Sequence, residues 1–463
     1  MALHDSLIYS KNVNDLFIDE AMVGAMLRFE AVLAEAQGNC KLIPPPSVKS
    51  IQNSCKTEFI DILKLKQDTA RAGNPAISLV QQLIQIVKKQ DAEAAKYVHN
   101  GATSQDVIDT AMVLQLQKAF TFFETHLVDL QTHLIYMCQT HRSTLMIGRT
   151  LLQQARPITF GLKTAMWLDG ILRSIQRLKE TKKRVLVLQF GGAVGSLAGM
   201  DGKGLEVAKE MVRILNLTTF EVLVQDVSAI ATPSVSWHTQ RDRLVEMATT
   251  LGILSGTLGK IAKDVVLMMQ TEVGEVFEGA AEGKGGSSTM PHKRNPVTST
   301  AIIANAQRVP NLVATMLSAM GQEHERSVGI WHSEWAVLPE IVMLTAGSLE
   351  RSIDLISHLE VDSVRMLQNI EATNGLIFAE NMSLTLALKI GKADAHHLVE
   401  KACKTAILEK KHLKTVLEKD DIVVQNIPPS VLNDLFDPKN AIGLSEALID
   451  RVLNVQRIAK SVD

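Results

Sequence analysis

Leu116-Gln-Lys-Ala-Phe120-Thr-Phe-Phe123-Glu-Thr-His-Leu127-Val-Asp-Leu130-Gln-Thr-His-Leu134-Ile-Tyr-Met137 carries apolar residues at alternating steps of four and three. That recurrence is a heptad seam. It sets Leu116, Phe120, Phe123, Leu127, Leu130, Leu134 and Met137 on one stripe of a helix, which must bury itself against other helices. No glycine or proline interrupts Ala102 to Ile147. Thr103 and Ser104 precede the seam with Asp106 in the first turn, where a cap and a negative charge both favour a helix start. One continuous long helix is therefore expected over this tract.

The prolines extend that reading. None lies between Pro75 and Pro157, between Pro157 and Pro233, or between Pro233 and Pro291. Proline removes a donor and clashes inside a helix, so three proline-free tracts permit three very long helices. Ile158 to Leu188 and Arg241 to Val273 show similar apolar recurrence. The expected fold is all-α, with a central bundle of long helices completed by other subunits into a tetrameric core. Shorter helices and the Pro44-Pro45-Pro46 break mark the N-terminal part. Short amphipathic helices, a solvated lysine-rich face (Lys410, Lys411, Lys414) and a Pro428-Pro429 turn mark the C-terminal part. Three helical domains are expected: 1–107, 108–355 and 356–463.

Composition excludes whole classes of function. The chain has 463 residues, 46% hydrophobic and 21% charged, with a formal net charge of −2. No global basic field recruits nucleic acid or an anionic membrane. Cys40, Cys55, Cys138 and Cys403 are scattered without a C-x-x-C pair and read as reduced thiols. No basic segment followed by an apolar run opens the sequence, and no charge-free stretch is long enough to span a bilayer. A soluble cytoplasmic protein is expected.

Three polar, glycine-rich segments interrupt the helical tracts. Gly285-Gly-Ser-Ser-Thr-Met-Pro-His-Lys-Arg-Asn-Pro296 combines close backbone approach, hydroxyl and amide donors and the fixed charge of Lys293, the ingredients of an anion-binding loop. His99-Asn-Gly-Ala-Thr-Ser-Gln-Asp106 sits at the mouth of the heptad helix. Thr103 and Ser104 there either cap the helix or hold an anion together with its free N–H groups. Gln189-Phe-Gly-Gly-Ala-Val-Gly-Ser-Leu-Ala-Gly199 is either a plain loop or backbone packed closely against a neighbour. Other motifs fail on spacing. Glu278 stands where a P-loop before Gly283-Lys284 needs glycine, and Gly191 to Gly195 follows no convincing strand. H-E-x-x-H and G-x-S-x-G are both absent, and His396-His397 point to different helix sides. No metal or cofactor is expected.

Taken in this order, the three segments resemble the fumarase/aspartase superfamily over nearly the whole chain. The superfamily's loop G-S-S-x-M-P-x-K-x-N matches Gly286 through Asn295 at every fixed position. The resemblance implies a bundle of long helices assembled as a homotetramer, active sites built from three subunits, and addition or elimination beside a carboxylate through an enediolate-like intermediate. Pro291-His-Lys-Arg-Asn-Pro296 is similar to the branch holding adenylosuccinate lyases and 3-carboxy-cis,cis-muconate cycloisomerases. Ala72 to Ile77, Gly101 to Thr110, Trp237 to Arg243, Thr271 to Val276, Gln322 to Arg326 and Trp331 to Trp335 look like the cycloisomerases. Histidines that adenylosuccinate lyases carry within Gly148 to Gln153 and near Gln67-Asp68 are missing, and Asn100 and Leu151 stand where cycloisomerases commonly have tryptophan.

The resemblance implies a cycloisomerase interconverting 3-carboxy-cis,cis-muconate and 4-carboxymuconolactone in aromatic-acid breakdown. The alternative is an adenylosuccinate lyase or a related fumarate-releasing lyase. Ser287 would move the proton, with Lys293 and Asn295 stabilising the carbanion's charge. Thr103, Ser104, His99, Gln153, Arg326, His324, Ser288 and Met290 would bind a small polycarboxylate. Gly279, Gly283, Gly285 and Gly286 would act as hinges. A non-catalytic tetramer of the same fold fits less well, because Ser287, Lys293 and Asn295 are all present.

Overall fold

A computed structural model describes residues 3–217, 235–280, 285–286, 290 and 292–460. Six long helices carry the architecture: α1 (Asp19–Asn39), α2 (Ser104–Thr140), α3 (Phe160–Val185), α4 (Asp242–Met268), α5 (Val297–Ser318) and α6 (Ile330–Ser357). Shorter helices precede α2, follow α6 and, as Gly204–Leu215, lie between α3 and α4. Two antiparallel strand pairs complete the described structure: β1 (Leu145–Thr150) with β2 (Gln153–Thr159), and β3 (Val276–Phe277) with β4 (Glu360–Val361). The all-α expectation holds apart from these short ladders.

Every seam residue from Leu116 to Met137 is buried in α2, as the heptad spacing requires. The helix nevertheless stops at Thr140 rather than continuing to Ile147. His141 to Thr144 turn the chain: the carbonyls of His141 and Thr144 accept the Gly161 and Phe160 N–H groups, at 2.8 Å each. The chain then pairs back on itself as β1–β2, with a register shift between Ile147 and Arg149. α3 and α4 match the expected tracts closely. α5 and α6 contain Pro310 and Pro339 inside them, so two long helices exist beyond the proline-free tracts.

The chain divides into two compact units. The first comprises Met1–Leu127, Ser174–Leu258 and Ala304–Glu350. Its core includes Phe29 and Leu33 of α1, Leu116 and Phe123 of α2, Leu251 of α4 and Leu344 of α6. The second comprises Val128–Arg173, Gly259–Ile303 and Arg351–Asp463. Ile147 of β1 is buried there in one cluster with Phe378, Met382, Leu386, Val399, Leu413 and Phe436 of the C-terminal helices. No described helix is long and apolar enough to cross a membrane.

Candidate active site

Asp106 organises the first unit's polar segments. It is fully buried in the first turn of α2. Its Oδ1 accepts from the N–H of Gly191 at 3.0 Å and from Gln189 Nε2 at 3.2 Å, and lies 2.8 Å from His238 Nε2. Its Oδ2 accepts from the N–H groups of Gly192 at 2.9 Å and Thr103 at 3.0 Å. One carboxylate thus closes the helix mouth and clamps the glycine run onto it. Charge-assisted bonds of this kind are among the strongest a buried carboxylate makes. Composition alone casts Asp106 as a favourable helix charge; its role as a junction depends on residues far along the chain.

The same clamp explains the glycines. Gly192 has φ of +70°, and a Cβ there would lie 2.9 Å from the carbonyl oxygen of Gly101. Gly101 has φ of +72°, and its Cβ would collide with Met200. Close backbone packing, one of the two readings open for the glycine run, is the one the structure bears out.

Arg326 completes this group. Its guanidinium donates to Thr103 Oγ1 at 2.7 Å and to Ser104 Oγ at 3.3 Å. Burial pulls its pKa down. Among the described residues no carboxylate forms an ion pair with it, so a half-buried cation flanked by two hydroxyls is open to an anion. Beneath lies an ionic core: Arg241, 0% exposed, donates to Asp109 at 2.8 and 2.9 Å and to Glu334 at 2.6 Å. Trp331 and Gln322 cap those carboxylates, donating to Asp109 at 3.0 Å and Glu334 at 2.8 Å.

His99 also belongs to this unit. Its φ is +59°, and its Nδ1 lies 2.6 Å from Oε1 of buried Glu30. Burial alone would depress the imidazole pKa; the charge and hydrogen bond of Glu30, aided by Asp106, raise it overall. Glu30 escaped the sequence reading. Its signal is an acid among the apolar residues Met26, Leu27, Phe29, Val32 and Leu33. His324, in the same unit, contributes only its carbonyl, which accepts from Thr239 at 2.9 Å; its ring makes no hydrogen bond among the described residues.

In the second unit, the loop after β3 is anchored at its base. Buried Glu278 accepts from the N–H groups of Thr298 at 3.0 Å and Ser299 at 2.7 Å, capping α5. Arg294 holds the Glu278 carbonyl at 2.5 Å and pairs with Glu360 at 2.8 Å. The Asn295 N–H donates to the Gly285 carbonyl at 2.9 Å, and its side-chain amide reaches the Gly286 carbonyl at 3.5 Å. Lys293 is exposed and pairs with no carboxylate among the described residues. Met290 is 43% exposed. Ser287, Ser288 and Gly283 lie outside the described residues. Gln153, also exposed, opens β2 opposite Thr150. Between them, Leu151 and Leu152 form the hairpin tip, both at positive φ and 93% and 81% exposed. No group of three potential metal ligands gathers among the described residues.

Comparison with known proteins gives this geometry its context. A family model described as "Lyase" matches residues 7–311, and one described as "Adenylosuccinate lyase C-terminus" matches residues 375–452. The 3-carboxy-cis,cis-muconate cycloisomerase of Acinetobacter baylyi is 46% identical over 97% of this chain and 98% of its own. That of Pseudomonas aeruginosa is 45% identical over 97% of this chain and 95% of its own. The crystal structure of the 3-carboxy-cis,cis-muconate lactonizing enzyme from Pseudomonas putida superimposes with a TM-score of 0.91, at 41% identity and 98% coverage of both chains. The chain therefore belongs to the lyase family of the fumarase/aspartase superfamily.

Proposed function

We propose that this protein is a cycloisomerase that interconverts 3-carboxy-cis,cis-muconate and 4-carboxymuconolactone. The observation that carries the reading is similarity to cycloisomerases over almost the full length of both chains. The substrate is a trianion. On closure, an oxygen of one carboxylate attacks an alkene carbon and forms the C–O bond. The alkene pair moves toward a second carboxylate as an enediolate, which then takes a proton at carbon to give a dianionic lactone. Spreading charge onto the enediolate is the hard step, so fixed donors aimed there are the main catalytic contribution, about 3–4 kcal/mol for each well-placed donor.

Arg326 with Thr103 and Ser104 would hold one carboxylate, and His99 is a further donor in the same unit. Lys293 and Asn295 would meet the enediolate, with Ser287 moving the proton. Gln153, His324, Ser288 and Met290 would complete the pocket's walls. We infer a soluble cytoplasmic homotetramer in which neighbouring chains supply different parts of each site. Apolar side chains left exposed on long helices, among them Ile253 of α4 and Leu317 of α5, support assembly. The three-part division at 107 and 355 remains our proposal for its domains. A separate family model covering 375–452 supports the C-terminal part.

That same model favours a second reading, an adenylosuccinate lyase. The chemistry of departure argues against it. An amine leaves only with a proton, whereas a carboxylate, with a pKa of about 4, leaves as a stable anion. Leu151, which has no titratable group, occupies the segment where adenylosuccinate lyases carry a histidine. Purified protein incubated with 3-carboxy-cis,cis-muconate should consume the diene absorbance without fragmentation. Release of fumarate from adenylosuccinate, with the muconate untouched, would overturn the assignment.

A further inference from the structure

α1 turns two buried polar side chains toward the chain segment that leads into Thr103. Glu30 and Gln37 are seven residues apart and so share one helix face. Glu30, 1% exposed, holds the His99 ring through Nδ1 at 2.6 Å. Gln37, 0% exposed, donates from Nε2 to the Asn100 carbonyl at 2.8 Å. Between them they fix a residue in the left-handed region, a conformation that costs a non-glycine residue about 1 kcal/mol or more and persists only where its surroundings enforce it. The ring's other nitrogen, Nε2, has no partner among the described residues, although the side chain is only 19% exposed.

Glu30 has its own imbalance. Its Oε2 is buried with no hydrogen-bond partner, and no lysine or arginine pairs with it among the described residues. A desolvated carboxylate needs a cation close by. His99 is the group in contact that can become one. Cys55, which feels the same carboxylate, is pushed up in pKa by burial and then by Glu30, so it stays a neutral thiol.

We infer that Glu30 is a positioning residue that locks His99 as a charged imidazolium, leaving Nε2–H as a fixed donor for a second carboxylate of the substrate. This rests on the anion-binding reading of the Thr103 segment and deepens it. A trianion then meets three separate cations from this chain type: Arg326, Lys293 and His99. The groups acting on the imidazole are Glu30 from α1 and Asp106 from α2, both negative, and both favour the charged form. The sign follows. Because the folded pKa is raised, the imidazolium survives to higher pH than a free histidine, and substrate binding weakens as pH rises through that raised value. Without Glu30's charge, burial dominates and the loss begins at lower pH.

The test compares wild type with Glu30→Gln, using 3-carboxy-cis,cis-muconate from about pH 5.5 to about pH 8.5. The variant should show KM raised about tenfold at the alkaline end and recovering at the acid end, with kcat changed less than about threefold. Glu30→Asp should recover part of the loss. A KM profile identical to wild type overturns the inference. Nitrogen-15 NMR of histidine-labelled wild-type protein, with His99 assigned through His99→Gln, decides the case even if Glu30→Gln does not fold. A His99 midpoint above that of a free histidine supports the inference, and one at or below it sinks it. Wild-type protein without cycloisomerase turnover would instead remove the proposed reaction and leave the imidazolium measurement standing.

Discussion

Arg326 and Arg241 show how little residue type alone says about role. Both are arginines near α2. Arg241 is enclosed by Asp109 and Glu334, whereas among the described residues Arg326 forms no ion pair and donates to the hydroxyls of Thr103 and Ser104. Truncating the enclosed one strands two buried carboxylates, so Arg241→Ala should lose about 3–5 kcal/mol of stability in denaturant unfolding. Arg326→Ala should leave the unfolding midpoint nearly unchanged while kcat/KM falls about a hundredfold, the loss expected from one charge-assisted contact to a carboxylate. Equal effects of the two substitutions on stability would refute the distinction. The sequence left Thr103 and Ser104 open between capping α2 and holding an anion, and it admitted Arg326 as an anion binder through the family resemblance. It gave Asp106 only a helix-cap role and passed over Glu30, since the partners of both are supplied by distant chain segments.

Among elements, the contrast lies between α2 and the hairpin after it. α2 was legible because a heptad seam needs only its own spacing to be recognised. The hairpin was not. Its turn is Leu151-Leu152, both at positive φ, where asparagine or glycine would normally announce the reversal. Nor did the tract before it contain a glycine or proline to end the helix. The glycine run at 191–199 was half legible: its density signalled close packing, but not against what. Gly192→Ala tests the answer. The new methyl would lie 2.9 Å from the Gly101 carbonyl, in a backbone region alanine disfavours. The substitution should cost about 1–3 kcal/mol in unfolding and lower kcat/KM, because the Asp106 clamp loosens with it. Gly202→Ala, also at positive φ but with nothing within 4 Å, serves as the control and should cost less.

For the whole molecule, a helical bundle followed from apolar periodicity and proline-free tracts, yet that logic overlooked α5 and α6, each with a proline inside. A long helix tolerates one proline when the packing of its other residues outweighs one lost hydrogen bond. Assembly is the further step, and the proposed sharing of sites makes it measurable. Light scattering on the purified protein should give four times the mass of one chain. Arg326→Ala and Lys293→Ala should each be nearly inactive alone. If a site draws Arg326 from one chain and Lys293 from another, random hybrids made by unfolding and refolding the two variants together hold about a quarter of their sites intact. Activity near that fraction of wild type, absent when the variants are mixed without unfolding, would establish that neighbouring chains complete each site. No recovery in verified hybrid tetramers would mean that each chain supplies both cations to the same site.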